Sequence, residues 1–127
     1  MTPEKPLAFI IEDDEDLSII FSEALNAAGF QTQMIRDGRL ALEQLMESKP
    51  KVVILDMHLP GLSGLEILKY IRTDERLALT NVVVTTADAV MAEQVRDIAD
   101  LALIKPITFG QLRDLSARLN RVSSTEK

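Results

Sequence analysis

The chain has 127 residues and a formal net charge of −6, and its length predicts one domain able to bury its own core. The acidic balance argues against direct binding to nucleic acid, and the absence of cysteine excludes disulfides and thiolate metal sites. No apolar stretch approaches the roughly 20 residues of a membrane-spanning helix and no signal-like segment begins the chain, so we expect a cytoplasmic protein without a membrane partner.

Strand-like and helix-like segments alternate from the start of the chain. Leu7 to Ile11 predicts a first strand, and the apolar residues between Leu17 and Ala28 recur at the spacing of one helix face. The more polar run from Gln31 to Ile35 predicts a strand at a sheet edge, and Asp37 is expected to cap a second helix. The residues predicted to face the core are Leu17, Ile20, Phe21, Ala24, Leu25 and Ala28 in the first helix and Ala41, Leu42, Leu45 and Met46 in the second.

Three further strand and helix pairs complete the pattern. Val52 to Leu55 is continuously apolar, as a buried parallel strand should be, and the β-branched run from Asn81 to Thr86 predicts a fourth strand. Leu101 to Ile104 predicts the fifth. The third and fifth helices are expected to begin at the capping-box pairs Ser63–Glu66 and Thr108–Gln111, and the fourth to run from about Met91 to Ala99.

Five alternating units predict an α/β domain with a parallel sheet, helices on both faces and right-handed crossovers. The carboxyl ends of parallel strands meet at one edge of the sheet, where open α/β sheets bind their ligands. Three strands end in charged residues, which are Glu12 and Asp13 after the first, Asp56 after the third and Lys105 after the fifth. We therefore expect these side chains to lie in one crevice.

The charged residues suit the transfer of a phosphoryl group. The carboxylate of Asp56 can act as a nucleophile and form an acyl phosphate. A hard cation such as Mg²⁺, bound by Glu12 and Asp13, would offset the repulsion between this carboxylate and the phosphoryl donor. The Lys105 ammonium can pair with phosphate charge, and Thr86 at the end of the fourth strand offers a hydroxyl to a phosphoryl oxygen.

Each of these residues also has an explanation that needs no function. Asp14 and Asp16 are fully explained as acids at the start of a helix. Asp56 alone can be an acid that opens a turn, Lys105 a surface lysine before a proline, and Thr86 an ordinary strand residue. The predicted site therefore depends on all of its members meeting at one edge.

Four stretches of the sequence carry a family resemblance, namely FIIEDD at 9–14, VILDMHLPGLSG at 53–64, VTTA at 84–87 and IKP at 104–106. In order and spacing they resemble the receiver domain of two-component response regulators over essentially the whole chain. The resemblance implies one receiver domain over residues 1–127, with a core of about 7–122 and short polar tails. It also implies a doubly wound, flavodoxin-like (βα)5 fold similar to chemotaxis regulators, with strand order 2-1-3-4-5.

The resemblance implies a role for each residue around the phosphate. Asp56 would be the phosphoacceptor and a metal ligand, Asp13 would bind Mg²⁺ directly and Glu12 would act through water. The backbone carbonyl of His58 would complete the protein ligands. Lys105 would contact the phosphoryl oxygens and would be joined to the following proline by a cis peptide bond.

The resemblance also implies how the protein would signal. Thr86 would be a switch hydroxyl that moves toward the phosphoryl group. His58 and Asp88 would flank that group and tune its lifetime, although an exposed His58 without a role is an equal alternative. The partners would be a sensor histidine kinase or phosphotransfer protein and a downstream target or separate output domain, with homodimer formation left open. No enzymatic activity beyond self-phosphorylation and self-dephosphorylation is expected.

One position departs from the family pattern and keeps alternatives open. Ala102 stands three residues before Lys105, where many receivers carry an aromatic residue, so output would need backbone or loop movement. This departure favours an interaction module that works without phosphorylation as the alternative function. A small phosphatase using Asp14-Glu15-Asp16, similar to haloacid-dehalogenase enzymes, fits less well, because the chain has no room for a cap domain and its best placed acid ends the third strand. A flavodoxin-like nucleotide binder also fits less well, because the acids from Glu12 to Asp16 repel phosphate.

Overall fold

The computed structural model describes residues 5–125, with side chains over 5–121, so the outermost residues of the predicted domain lie outside the described part. Five strands alternate with five helices, and a 3₁₀ turn at Glu75–Leu77 follows the third helix. The strands are β1 (Leu7–Ile11), β2 (Gln31–Ile35), β3 (Val52–Asp56), β4 (Asn81–Thr86) and β5 (Leu101–Ile104). The helices are α1 (Glu15–Ala27), α2 (Gly38–Glu47), α3 (Gly64–Thr73), α4 (Ala89–Gln94) and α5 (Phe109–Thr125).

The strands form one parallel sheet in the order β2-β1-β3-β4-β5, which confirms the predicted topology. β3 lies at its centre and every residue of it is buried, as its continuous apolar run predicts. The more polar β2 lies at one edge, also as predicted, and β5 lies at the other. The carboxyl ends of β1, β3, β4 and β5 therefore meet at one side of the sheet.

Alternate residues of the strands pack into two separate apolar cores, one on each face of the sheet. Phe9 and Ile11 of β1 face a core shared with α2 and α3, whereas Ala8 and Ile10 face a core shared with α1 and α5. Period-two alternation in strands buried on both faces produces this arrangement. The helices thus cover both faces, and none of those described is long and apolar enough to cross a membrane.

Side-chain caps begin the helices where the sequence predicts them. Asp37 accepts a hydrogen bond from the N–H of Leu40, and Ser63 accepts one from the N–H of Glu66. Thr108 likewise accepts the N–H of Gln111 at the start of α5. Each cap satisfies a backbone donor that the first turn of a helix leaves unpaired.

Two of the predicted core residues lie in solvent instead. Ile20 of α1 and Met46 of α2 are exposed, while Ser22 of α1 is buried and its hydroxyl lies 2.6 Å from that of Thr32 in β2. The packed face of α1 therefore includes a serine whose hydroxyl has a partner in β2, which lowers the cost of burying it.

The fourth helix is shorter than predicted, since it ends at Gln94 rather than near Ala99. Beyond it, the guanidinium of Arg72 in α3 binds the carbonyl of Ile98 and the carboxylate of Asp100. Beyond Gln94, hydrogen bonds that span three residues interrupt the helical ladder, such as that from the N–H of Ile98 to the carbonyl of Val95, and the chain proceeds to β5 through turns. Val95, which lies within the predicted helix but just after the observed one, is buried.

Candidate functional site

The predicted charged residues meet at the carboxyl edge of the sheet. Glu12 and Asp13 directly follow β1, Asp56 is the last residue of β3, and Lys105 directly follows β5. Carboxylate oxygens of Glu12, Asp13 and Asp56 all lie within 4.8 Å of one another. The side chains of Glu12 and Asp56 are only 1% and 3% exposed, so this edge holds two buried acids next to one exposed acid.

One ammonium group faces both buried carboxylates. The Nζ atom of Lys105 lies 3.0 Å from Oε1 of Glu12 and 3.6 Å from Oδ1 of Asp56. Burial alone would lower the pKa of Lys105, but the hydrogen bond with Glu12 and the charge of Asp56 outweigh it and raise the pKa. Lys105 is therefore charged at neutral pH, and one positive charge is shared between two acids.

Burial is also the main influence on Glu12, and it raises the pKa of this carboxyl above the usual range. The N–H of Asp14 and the Lys105 ammonium act in the opposite direction, while the nearby Asp56 adds to the rise. Keeping the Glu12 carboxylate charged in this buried position therefore carries an electrostatic cost. An additional cation in this position would lower that electrostatic cost.

Backbone groups hold the two buried carboxylates in place. The N–H of Asp14 donates to Oε2 of Glu12 at 3.1 Å, and the N–H of His58 donates to Oδ1 of Asp56 at 3.1 Å. Behind Asp56, a Cβ atom on Gly64 would lie 2.5 Å from the Asp56 carbonyl oxygen, so only glycine permits this approach of α3 to β3. The orientation of the acids is thus built into the loops that follow β1 and β3.

The third acid is held through its backbone. Asp13 is exposed, and its carbonyl oxygen accepts hydrogen bonds from Nε of Arg36 at 3.2 Å and from Nη2 of the same guanidinium at 3.0 Å. Arg36 follows β2, which is the neighbour of β1 in the sheet. Arg36 was not among the predicted site residues, although its position as a basic residue directly after the adjacent strand was a visible signal.

Thr86 and His58 lie beside each other at the same edge. The buried Thr86 hydroxyl accepts a hydrogen bond from the N–H of Asp88 at 3.0 Å and lies 3.4 Å from Nε2 of His58. The exposed ring of His58 therefore contacts the predicted switch residue. The predicted cis peptide between Lys105 and Pro106 is confirmed. The metal-binding role of the His58 carbonyl stays a prediction.

Asp14 has the structural role that the sequence assigned to it. Its side chain accepts the N–H of Leu17 at 3.0 Å and caps α1, and Asp16 lies exposed in the first turn. Neither belongs to the cluster of Glu12, Asp13 and Asp56. The acids on which the phosphatase alternative relied are therefore accounted for as helix-start residues.

The donor set of the cluster suits a hard divalent cation. Three carboxylates from two adjacent loops offer only oxygen ligands, which Mg²⁺ and Ca²⁺ prefer and which soft metals do not. Two of the three acids are buried with a single ammonium between them, so bound positive charge would offset a real electrostatic cost. The residues present thus fit a metal of this class.

Comparisons with known proteins agree with this geometry. The chain is 33% identical over 87 residues to the polar-differentiation response regulator DivK of Brucella anthropi, covering 68% of this chain and 71% of the relative. Its fold matches the chemotaxis response regulator CheY4 of Vibrio cholerae with a TM-score of 0.82 at 22% identity, over 91% of this chain and 98% of the other. A CheY-like receiver domain from Methylobacillus flagellatus matches with a TM-score of 0.80 at 25% identity, over 91% and 99%.

The family model described as response regulator receiver domain matches residues 8–117, which include all the charged strand ends and Thr86. The matched stretch begins one residue inside β1, includes the other four strands completely and ends about halfway along α5. With its sheet order and its acidic edge, the chain belongs to the response regulator receiver domain family.

Proposed function

We propose that this protein is a phosphorylation switch that accepts a phosphoryl group on Asp56 in the presence of Mg²⁺. The donor would be a phosphohistidine on a sensor histidine kinase or phosphotransfer protein. The observation that carries the proposal is the placement of Asp56: a buried carboxylate at the end of the central strand, with the Lys105 ammonium 3.6 Å away and two further acids beside it.

The transfer requires few groups. One carboxylate oxygen of Asp56 attacks the phosphorus, an O–P bond forms, the P–N bond of the donor breaks, and its electron pair stays on the imidazole. Glu12, Asp13, Asp56 and the carbonyl of His58 would hold Mg²⁺, which would supply charge neutralisation between the carboxylate and the phosphoryl oxygens. No general base is needed, because the carboxylate that attacks is already ionised.

Lys105 would exchange partners during this reaction. Phosphorylation removes the negative charge from the Asp56 carboxylate and brings the negative charge of the phosphoryl oxygens instead. The ammonium, now 3.0 Å from Glu12 and 3.6 Å from Asp56, needs only a small movement to contact those oxygens. Its raised pKa keeps the positive charge available throughout.

The signal would leave the site through the start of α4. The Thr86 hydroxyl accepts the N–H of Asp88, and the Asp88 carboxylate caps α4 by accepting the N–H groups of Val90 and Met91. If Thr86 turns toward the phosphoryl group, it releases the Asp88 N–H and disturbs this cap. Movement of the loop and helix would then transmit the signal in place of the aromatic side chain that many receivers carry at the position of Ala102. This movement would change binding to a target protein or output domain.

Phosphorylation is tested with a small phosphodonor such as acetyl phosphate. Intact-mass spectrometry of the protein incubated with acetyl phosphate and MgCl₂ should show the addition of one phosphoryl group. The matched Asp56→Asn variant should remain unlabelled, and chelation of Mg²⁺ should abolish labelling of the unaltered protein. Equal labelling of Asp56→Asn would overturn the proposal.

Ala102 favours one alternative, an interaction module that works without phosphate. That function requires the protein to bind its partner equally well with and without the phosphodonor. We also propose that the protein has no enzymatic turnover beyond its own phosphorylation and dephosphorylation, and that it acts in the cytoplasm. A sustained release of phosphate from phosphomonoesters that persists in Asp56→Asn would contradict the first of these proposals.

A further inference from the structure

The three acids of the cluster are not held in the same way. Glu12 receives the N–H of Asp14 and the Lys105 ammonium on its carboxylate, and Asp56 receives the N–H of His58. Asp13, in contrast, has an exposed side chain, and its described polar contacts are those of its backbone carbonyl with Arg36. The direction of the Asp13 carboxylate therefore depends on where its backbone is held.

We propose that Arg36 is a positioning residue that holds Asp13 for metal binding; the inference rests on the proposed Mg²⁺ site. Nε and Nη2 both donate to one carbonyl oxygen, at 3.2 Å and 3.0 Å. A rigid guanidinium that places two donors on one acceptor restrains the peptide more than a single flexible donor does. Arg36 thereby connects the end of β2 to the loop that carries Asp13.

The backbone around Asp13 supports this role. On one side of it, the N–H of Glu12 donates to the carbonyl of Ile35 and continues the pairing of β1 with β2. On the other side, Asp14 caps α1. The Asp13 peptide thus lies between the end of the sheet pairing and the start of the helix. Arg36 adds a third restraint there by donating to the Asp13 carbonyl. Loss of a residue that orients a metal ligand without contacting the metal commonly lowers metal affinity.

Charge and positioning predict opposite effects of removing Arg36. A guanidinium close to a site for a divalent cation repels that cation, so a purely electrostatic role requires tighter Mg²⁺ binding once the charge is removed. A positioning role requires weaker binding, because the Asp13 carboxylate then samples orientations that do not bind. The sign of the change in the dissociation constant separates the two.

Mg²⁺ affinity measured by isothermal titration calorimetry, without any phosphodonor, provides the test. Arg36→Met keeps the aliphatic stem and removes the donors, and we expect it to bind Mg²⁺ roughly tenfold more weakly. Arg36→Lys keeps the charge but not the two-donor contact, and it should be weakened as well. Unchanged or tighter binding by Arg36→Met, or wild-type affinity in Arg36→Lys, would overturn the proposal.

Two further variants separate this inference from the proposed metal site itself. Arg96, just after α4, provides the control: its side chain is 56% exposed, against 55% for Arg36, and its guanidinium pairs with Glu93. Arg96→Met should leave Mg²⁺ affinity unchanged. Asp13→Asn should weaken binding strongly. If the unaltered protein bound no Mg²⁺, the proposed function would fail; if Asp13→Asn were weakened and Arg36→Met were not, only the positioning role would fail.

Discussion

The acidic site and the surface formed by α4 and β5 lie side by side, yet they are built differently. At the site, buried Glu12 and Asp56 each receive a backbone N–H and share the ammonium of Lys105. On the neighbouring surface, α4 has only six residues, and Val90 and Ile104 are 66% and 46% exposed. The acids are thus held from several directions, whereas the neighbouring surface leaves apolar side chains in solvent, as expected of a surface that would bind a partner.

The two regions are nevertheless connected at the start of α4, and the chain beyond the other end of this helix is held separately. Near the site, the N–H of Asp88 donates to the Thr86 hydroxyl. At the opposite end, Arg72 binds the carbonyl of Ile98 and the carboxylate of Asp100. Substitutions can therefore be chosen that act on the site alone, on the loops behind it, or on the far anchor of α4.

The largest effect is expected for Lys105→Met, which removes the only charge partner that the two buried acids share among the described side chains. Phosphorylation by acetyl phosphate should slow by roughly a hundredfold, because the charge that developing phosphate oxygens would contact is lost. Single-turnover labelling followed by mass spectrometry measures the rate. Lys69→Met, an exposed lysine of α3, is the control and should react like the unaltered protein; a similar rate for Lys105→Met would contradict its role.

Gly38→Ala should disturb the packing of α2 against the loop that follows β3. Alanine in a helix is normally favoured over glycine by about 0.5–1 kcal/mol, but a Cβ on Gly38 would overlap the Leu62 carbonyl oxygen of the loop that follows β3. We expect the free energy of unfolding to fall by about 2 kcal/mol, the usual cost of overpacking. Urea unfolding measures the change.

Gly110 in α5 provides the matched control for this substitution. A Cβ there would meet only the flexible side-chain end of Arg113, at 3.8 Å. Gly110→Ala should therefore leave stability unchanged or raise it by up to about 1 kcal/mol. Equal effects at the two glycines would mean that the approach of α2 to the loop after β3 has no energetic importance.

Asp100→Ala should loosen the far anchor of α4 and leave the site intact. Its carboxylate accepts hydrogen bonds from Nη2 of Arg72 at 2.7 Å and from the N–H of Val82 at 2.6 Å. Loss of these charged hydrogen bonds is expected to cost about 1.5 kcal/mol of unfolding free energy, with faster hydrogen exchange at residues 95–100 and an unchanged rate of labelling by acetyl phosphate. Asp97→Ala, an exposed neighbour, should change none of these.

The smallest effect concerns the pH dependence of stability without Mg²⁺. Burial raises the pKa of Glu12 above its ordinary value of 4.5, so between these two values the folded protein binds more protons than the unfolded chain. Stability should therefore fall as the pH rises from 4.5 through the raised pKa. Glu12→Gln has no such titration, and urea unfolding from pH 4.5 to 7 should show a smaller decline. An identical decline in both proteins would show that Glu12 is not the cause.

Much of the fold and of the site could be predicted because the signals were local. The apolar run ending at Asp56 places this residue at the end of a buried strand, and the polar character of Gln31–Ile35 places that strand at an edge. Glu12 and Lys105 directly follow two other strands of the same parallel sheet. Because the carboxyl ends of parallel strands lie at one edge, the strand pattern alone brings both residues to the edge that holds Asp56.

What the sequence did not reveal depends on contacts between distant residues. The burial of Ser22 on the packed face of α1 is accompanied by a hydroxyl contact with Thr32 of β2, which apolar periodicity does not reveal. The chain that follows the early end of α4 is held by the guanidinium of Arg72, which lies on another helix. The contact of Arg36 with Asp13 joins residues 23 positions apart, and the apolar pattern gives no sign of it.

The hydrogen bonds of Arg72 to the chain after α4 restrict how this short helix can move. The chain that leaves its far end is held at Ile98 and Asp100, a few residues beyond the helix, so we expect a displacement at Asp88 to produce mainly a rotation about that end rather than sliding of the whole helix. For a six-residue helix about 9 Å long, a shift of about 1 Å at the start corresponds to a tilt of about 6°. Residual dipolar couplings of the α4 amides, recorded with and without phosphodonor, would distinguish such a tilt from a translation.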